Sequence, residues 1–444
     1  MDPNIATIVY SAVYILTSVF ACGIIEKYAG EFFSRKLLHI LVGNAVLLPV
    51  LFRADMWAAA LPPLAFIFVN HVLQETGVFE ADTGLIFYPF SVLLLVILAY
   101  ISSSPLYLII PALIMAYGDG LAALFGRMVF HRSDKSLQGS LIMFLVSLGI
   151  SAIFLTSFNI DPLWSLIIAL VATIAETERD DNLTVPLYTA IALIAIGKPA
   201  NMLIAGFGIS LILSSFAYYM RALTPGGLAG GVILGTVTFA TSPLIFLTMV
   251  LFLLSSSVLT KYRENDKKGL EDYQKTGKRD GVQVLANGFA AAFACSFGSI
   301  PFAIASIAAA TADTWATELG SLSKTKPVLI TSLKQVEPGR SGGITPLGLA
   351  ASIAAGLFIF AVTYPFSGFT YFPAAVVGAT AGSLVDSLLG ATVQGTYQCR
   401  VCGKTTEKRK HCGKATVLIK GFEWFDNDIV NLVSTLIAGA LVMI

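Results

Sequence analysis

Apolar runs of about 15 to 22 residues, each closed by a short polar break, follow one another along the whole chain, and that length suits bilayer-spanning helices. Read as helices they fall at 5–25, 37–52, 56–73, 85–103, 105–126, 138–158, 163–177, 184–197, 200–220, 226–240, 243–260, 282–297, 299–321, 345–366, 370–390 and 428–444. The pattern predicts an all-α polytopic membrane protein with about sixteen transmembrane helices. Its first run follows Asp2 with no basic stretch ahead of it. That run is therefore expected to be a retained helix rather than a cleaved signal.

Composition narrows the class. Of 444 residues 56% are hydrophobic and 12% charged, whereas soluble proteins carry about a quarter charged residues. A soluble enzyme is excluded, and a net charge of +1 offers no field to a nucleic acid. If the N-terminus lies outside, every second loop is cytoplasmic, and these loops hold 26 of the 28 Lys and Arg, all but Arg53 and Lys198. That asymmetry satisfies the positive-inside rule. The loops rich in Arg, Lys, Asp, Asn and Gly then share the cytoplasmic side, while Ser102 to Pro105 and Asn159 to Pro162 are short and bland. A transporter of a polar anion would decorate both mouths. One decorated face fits an enzyme that takes a soluble co-substrate and a lipid.

Four elements recur in one order. Arg35, His39 and Gly43 answer Arg279, Gln283 and Asn287, each set at i, i+4, i+8 and expected on one helix face. Gly118 to Gly126 (GDGLAALFG) matches Ala312 to Gly320 (ADTWATELG), Lys135 to Gly139 has a looser counterpart in Gly339 to Gly343, and Asp181-Asn182 answers Asp426-Asn427. The chain is read as two tandem, distantly related helical modules, 1–200 and 226–444, joined through 201–225. Common order and same-side loops distinguish them from inverted transporter repeats.

The stretch from Tyr117 to Ser140 carries the chemistry of the first module. Asp119, Ala123 and Gly126 share a helix face, and an acid inside the membrane marks a functional site by default. A nucleoside triphosphate brings about four negative charges and a magnesium ion, which call for oxygen ligands, backbone N–H groups, Lys and Arg. Asp119 is the metal candidate. Arg35, Lys36, Arg127, Lys135 and Ser136 are phosphate candidates, with Gly126 and Gly139 admitting the backbone. The bland alternative pairs Asp119 with Arg127 or Lys135 as a packing contact. No G-x-x-x-x-G-K-[ST] loop occurs.

Further metal candidates are Glu176, Asp181 and Asn182, the last two equally suited to helix capping. In the second module Asp313 is preferred to Glu318, because five residues put the two about 140° apart around a helix. Asp386, Asp426 and Asn427, with Asp428, gather on the side of the basic loop, where Arg279, Arg340, Ser341, Gly342 and Gly343 are expected to bind phosphate. The charge run Glu264, Asp266, Lys267 and Lys268 reads as a solvated loop. Cys22 and Cys295 sit in apolar runs and read as core. Within the loop 396–420, Cys399-x-x-Cys402-Gly has the form of a zinc knuckle, and His411-Cys412 could complete a structural Zn2+ set. The alternative is a basic loop with reduced thiols.

Arg35-Lys36-x-x-His39, Tyr88-Pro89, Gly118-Asp119-Gly120-x-Ala122-Ala123, Gly126-Arg127, Lys135-Ser136-x-x-Gly139-Ser140 and Asp181-Asn182 together resemble the CTP-dependent polyprenol kinases of the dolichol and phytol kinase family. Gly226-Gly227, Asp313, the segment Pro338 to Thr345, Gly382-x-x-x-Asp386 and Asp426-Asn427-Asp428-x-Val430-Asn431 resemble the phytyl-phosphate kinase family of integral membrane proteins. The resemblance implies a fusion of two consecutive kinases, with CTP and Mg2+ as donor and cofactor: isoprenoid alcohol to monophosphate, then monophosphate to diphosphate. An alcohol must lose a proton on phosphorylation, whereas a phosphate monoester is already ionised. His39 is accordingly the expected base of the first site, with a hydrogen-bonded structural histidine as the alternative, and Gln283 marks its loss in the second. The remaining alternative of a different class is a CTP-dependent lipid cytidylyltransferase, which would release pyrophosphate instead of CDP.

Overall fold

A computed structural model describes residues 1–76, 83–128, 136–263 and 277–444, without the side chains of Glu75, Arg127 and Met128. Arg127's side chain, Lys135, His131 and the run Glu264 to Lys268 thus lie outside the described residues. Each apolar run has become a helix. Among the described residues ten are long and apolar enough to cross a membrane, five others are shorter apolar helices, and Ile300–Gly320 is long but carries Asp313 and Glu318. The chain divides into two compact units, Met1–Gly197 and Lys198–Ile444. Helix Ala200–Tyr219, expected to end in a connector, lies within the second unit and packs along Pro225–Thr241. Small residues explain the fit: Ser210 and Ser214 sit against Gly235 and Gly231, the close approach on which helix association in lipid depends.

In the first unit the buried layer is built by Gly84–Ile101, Leu106–Leu113 and Asp181–Ile194. The last is only 14 residues long and buried from Leu183 to Ile194, so its ends are shielded by protein rather than lipid. Pro3–Ala29, Met56–Glu75 and Leu137–Ser157 show large apolar side chains outward, among them Phe20, Phe68 and Ile153, as lipid-facing helices must. The expected single helix at 105–126 is interrupted. Ile114–Asp119 forms a π-helical turn that ends on Asp119, followed by helix Gly120–Met128. Such turns often accompany functional residues.

Ile300–Gly320 is the axis of the second unit. Ala303 through Ala312 are buried, and the neighbours packed on them include Pro346–Ser367, Phe372–Thr392, Asn427–Leu441 and Gly281–Ser296. Gly378 and Gly382 stand directly against Ala305 and Ala309. The helix ends are signed by side-chain caps: Thr224, Asp280, Thr345 and Asp426 each accept a bond from an amide of the first turn.

The departure from an all-α fold is local. Val328–Leu329 pairs with Gly343–Ile344, and the Cys-rich loop folds into a three-stranded sheet of Thr405–Thr406, Thr396–Gln398 and Val417–Lys420, plus the ribbon Lys410–His411 with Lys414–Ala415.

A Cβ at position 382 would lie 2.2 Å from the Ala309 methyl. Gly382→Val is expected to cost about 1–3 kcal/mol through overpacking and to lower the melting midpoint of the detergent-solubilised protein by several degrees. Gly149→Ala, at a position with open space around it, should leave that midpoint unchanged.

Candidate active sites

The first unit holds a cavity of about 230 Å³. Its walls are apolar, with Pro49, Pro63, Phe66, Val92 and Val96, and one end is polar, with Lys36, His39, Asp119 and Asn182. Helix Glu31–Gly43 presents Arg35, Lys36 and His39 to that end. It can lie close to the π-helical turn because Gly43 faces Ala116, where a Cβ would come within 2.3 Å of the alanine methyl. Lys36 Nζ is consequently 2.7 Å from Asp119 Oδ2, and His39 Nε2 is 3.9 Å from the same oxygen. Tyr88 packs its ring 4.6 Å from that of His39 and donates to Ala112 O. The expected bland pairing of Asp119 with Arg127 or Lys135 lies outside the described residues; the partner seen is Lys36. Arg35 is held by Glu31 at 3.9 Å, one helical turn back.

The second unit has a more polar cavity of about 230 Å³. Asp313 and Asp386, from two adjacent helices, have carboxyls within hydrogen-bonding reach of each other. Asp386 Oδ2 and Asn431 Oδ1 are shut off from solvent and have no hydrogen-bond partner among the described residues. Across the cavity runs Arg340-Ser341-Gly342-Gly343. Gly342 has φ +78°, and the Ala391 backbone would be 2.6 Å from any Cβ there, so only glycine lets this loop rest on the end of Phe372–Thr392.

Glu407 reaches into the same cavity from the Cys-rich loop and accepts a hydrogen bond from Ser341 Oγ. Burial pushes its carboxyl up to about 7, opposed by the Ser341 bond and reinforced by Asp426 and Asp313. Lys420 Nζ donates to Gly390 O at 3.3 Å. Its ammonium is pressed below the ordinary lysine value by burial and by Arg340, with Glu407 opposing. A second, apolar cavity of about 110 Å³ shares Arg279, Gln283 and Asn287 with the polar one.

Residues 208–439, just over half the chain, match the family described as integral membrane protein DUF92. The chain belongs to this DUF92 family. Among its relatives are Protein PGR of Arabidopsis thaliana, 31% identical over 56% of this chain and 97% of the relative. A phytol kinase of Synechocystis sp. is 31% identical over 36% of this chain and 76% of its own length. An uncharacterised membrane protein of Methanocaldococcus jannaschii is 35% identical over 38% and 74%. No solved structure matches.

Within the DUF92 chain the two intramembrane acids, Asp119 and Asp313, each line a cavity. Several expected site residues have other work. Ser136 caps Leu137–Ser157 by accepting from Gly139 N at 3.2 Å, and neither Gly126 nor Gly139 lines the first cavity among the described residues. Glu176 accepts from Ser140 Oγ at 3.1 Å, and Asp181 Oδ1 accepts from Asn182 Nδ2 at 3.2 Å, while Asn182 itself lines the cavity. Asp426 caps Asn427–Leu441 through Oδ1. Asn427 lines the second cavity in its place.

Arg279 is not on the helix face expected for it. It precedes the Asp280 cap, accepts from Thr224 N through its carbonyl, and donates to Ser257 Oγ at 3.1 Å. Gln283 closes a capping box with Asp280. Glu318, set aside on helical spacing, lines the same cavity as Asp313, because that cavity extends along nearly two turns of the helix. Glu407 had no expected role, and Asn431 entered only as the last residue of the Asp426 to Asn431 motif, with no site role of its own. Asn431, four residues after Asn427, was within reach of the i, i+4 rule; Glu407, on a loop remote in sequence, carried no such signal.

The docked loop holds Glu407 more neutral than the free chain would. Docking is therefore strongest where both forms are protonated, below the ordinary value of 4.5, and is lost progressively as pH rises through about 7. Between about pH 6 and about pH 8, tryptic nicking at Lys408 and Arg409 should accelerate several-fold relative to Glu407→Gln, which keeps the Ser341 bond without the charge. Equal pH profiles for the two proteins would contradict this assignment.

Proposed function

We propose that the protein is a membrane isoprenoid kinase with two phosphoryl-transfer sites, one making an isoprenyl monophosphate from a polyprenol such as phytol or geranylgeraniol, the other extending it to the diphosphate. The observation that carries the reading is that each unit joins an apolar cavity to a cluster of acid and base at one end. A chain of CH₂ groups would occupy the apolar part, at about 0.8 kcal/mol per buried CH₂, and its polar head would meet Asp119 or Asp313. Similarity to a phytol kinase points to the same substrate class. CTP as donor follows from the family resemblance of the sequence motifs.

In the first unit the alcohol oxygen attacks the terminal phosphorus, the bond from that phosphorus to the bridging oxygen breaks, and the nucleoside diphosphate leaves. His39 lies at the polar end of the slot and takes the hydroxyl proton, with Asp119 stabilising the imidazolium that results. Lys36, held by Asp119 at 2.7 Å, is in place to neutralise charge on the transferred group.

In the second unit the acceptor is already an anion, and charge neutralisation replaces proton removal. Arg279, at the junction of the apolar and polar cavities, would bind the lipid phosphate, and Arg340 with the amides of Gly342 and Gly343 the nucleotide phosphates. Gln283, occupied in a capping box, is a support residue there. The donor set fits Mg2+: Asp313, Asp386 and Asn431 are hard oxygen ligands, two of them with an unused buried oxygen. When bound, that ion would neutralise phosphate charge. Glu407, close by, would ionise in its field. Placing these loops on the cytoplasmic side, by the positive-inside asymmetry, gives both sites access to nucleotide.

Purified full-length protein in lipid nanodiscs, supplied with geranylgeraniol or phytol, Mg2+ and terminally labelled CTP, should yield labelled mono- and diphosphate with release of CDP. Asp313→Asn should accumulate monophosphate, and Asp119→Asn should fail on the alcohol yet still extend added monophosphate. His39→Gln should lower alcohol phosphorylation by about 10²-fold or more and spare the second step. Pyrophosphate release with CMP retained on the lipid would establish a cytidylyltransferase instead, and no turnover of either lipid would overturn the kinase reading.

A further inference from the structure

The Cys-rich loop contains a constellation that phosphoryl transfer does not use. Sγ of Cys399, Cys402 and Cys412 and one ring nitrogen of His411 all lie within 4.8 Å of one another. His411 Nδ1 is 3.4 Å from Cys402 Sγ and 3.2 Å from Cys412 Sγ. Four ligands at about 2.0 to 2.3 Å from a tetrahedral centre stand about 3.5 to 3.8 Å apart, so the cluster already has nearly the size of a closed metal site.

Backbone turns produce this convergence. The first two cysteines flank a knuckle in which Gly403 N bonds Cys399 O and Cys399 N bonds Lys404 O, with Gly403 at φ +72°. The adjacent pair His411-Cys412 is brought round by a two-residue turn whose central residues, Cys412 and Gly413, have φ +52° and +74°, as a tight hairpin of the primed type requires. A non-glycine residue held at positive φ is uncommon, and here it aims the third thiol at the cluster. Charge suits a thiolate-rich centre too: three thiolates and a divalent ion leave one net negative charge, amid Arg400, Lys404, Lys408, Arg409, Lys410 and Lys414.

What such a centre would hold in place is visible. Segment 396–420 buries few apolar side chains, Tyr397 chief among them, far below what a free-standing module needs without a metal. Yet between the two ligand pairs it carries Glu407, whose carboxylate meets Ser341 in the second cavity.

We propose that Cys399, Cys402, Cys412 and His411 Nδ1 form a structural site for a zinc-class divalent cation, and that this ion shapes the loop that delivers Glu407 to Ser341. The thiol protons pass to solvent on binding. The site is tetrahedral and closed, with no position left for substrate. It stands apart from the kinase reading, since occupancy is measured with no nucleotide or lipid present.

Full-length protein purified in detergent under reducing conditions should contain about one zinc per chain by elemental mass spectrometry. Cobalt exchanged for it should show the ligand-field and thiolate charge-transfer bands of tetrahedral coordination. Cys402→Ser with Cys412→Ser, both at exposed positions, should lose the metal while keeping the helical content of the parent. Glu407→Gln should keep it. Trypsin should spare Lys404 to Lys414 in the zinc form, cut there after treatment with a chelator, and be blocked again by Zn2+ but not by Mg2+. The proposal is overturned by a metal-free protein with the same tryptic protection, by iron in place of zinc, or by a disulfide among these cysteines in the protein as isolated.

Discussion

Two carboxyls, Asp313 and Asp386, that line one cavity inside an apolar helical bundle set the terms for the second unit. Asp313 and Asp386 come from helices that pack through Ala305, Ala309, Gly378 and Gly382, and without those small residues the acids could not meet. Intramembrane acids are costly and must be compensated by partners or ions. Much that surrounds them serves that need: the glycine-bearing loop at Arg340 to Gly343, the asparagines at 427 and 431, and a glutamate brought from a distant β-structured loop.

The first unit meets the same cost differently. Its acid, Asp119, ends a π-helical turn and is answered by a lysine from the helix Glu31–Gly43. An acid paired with a lysine and flanked by a histidine is equipped to manage a proton; an acid paired with an acid is equipped to hold a cation. On the proposed reading, that contrast is the chemical difference between an alcohol acceptor and a phosphate acceptor. Asp119 ends a π-helical turn while Asp313 stands inside the continuous helix Ile300–Gly320, so the two acids differ in backbone setting as well as in company.

Hydrogen-bonding geometry at helix ends accounts for most of the expectations that shifted. Ser136 and Asp426 are polar residues next to apolar runs; a hydroxyl there can serve a phosphate and a carboxylate a metal ion, yet either can equally cap the bare amides of a first turn. Motif spacing alone does not separate the two uses. The direction of the side chain does: Ser136 and Asp426 accept from amides of their own helices, and Gln283 accepts from the amide of the Asp280 cap.

Hydrophobic run length was enough to place every apolar helix, because a bilayer demands about 20 apolar residues per span and the breaks between runs are polar. Membrane class and the two intramembrane acids were legible for the same reason: an acid stands out where the background is uniformly apolar. Which acid meets which partner was decided only in three dimensions. Lys36 lies 83 positions from Asp119 and Glu407 lies 66 from Ser341. Periodicity speaks only for neighbours within about two helical turns, so contacts at that separation depend on which helix faces allow close approach. Cys412 shows the limit most plainly. His411 and Cys412 are adjacent along the chain, and a single turn through positive φ brings both to one point.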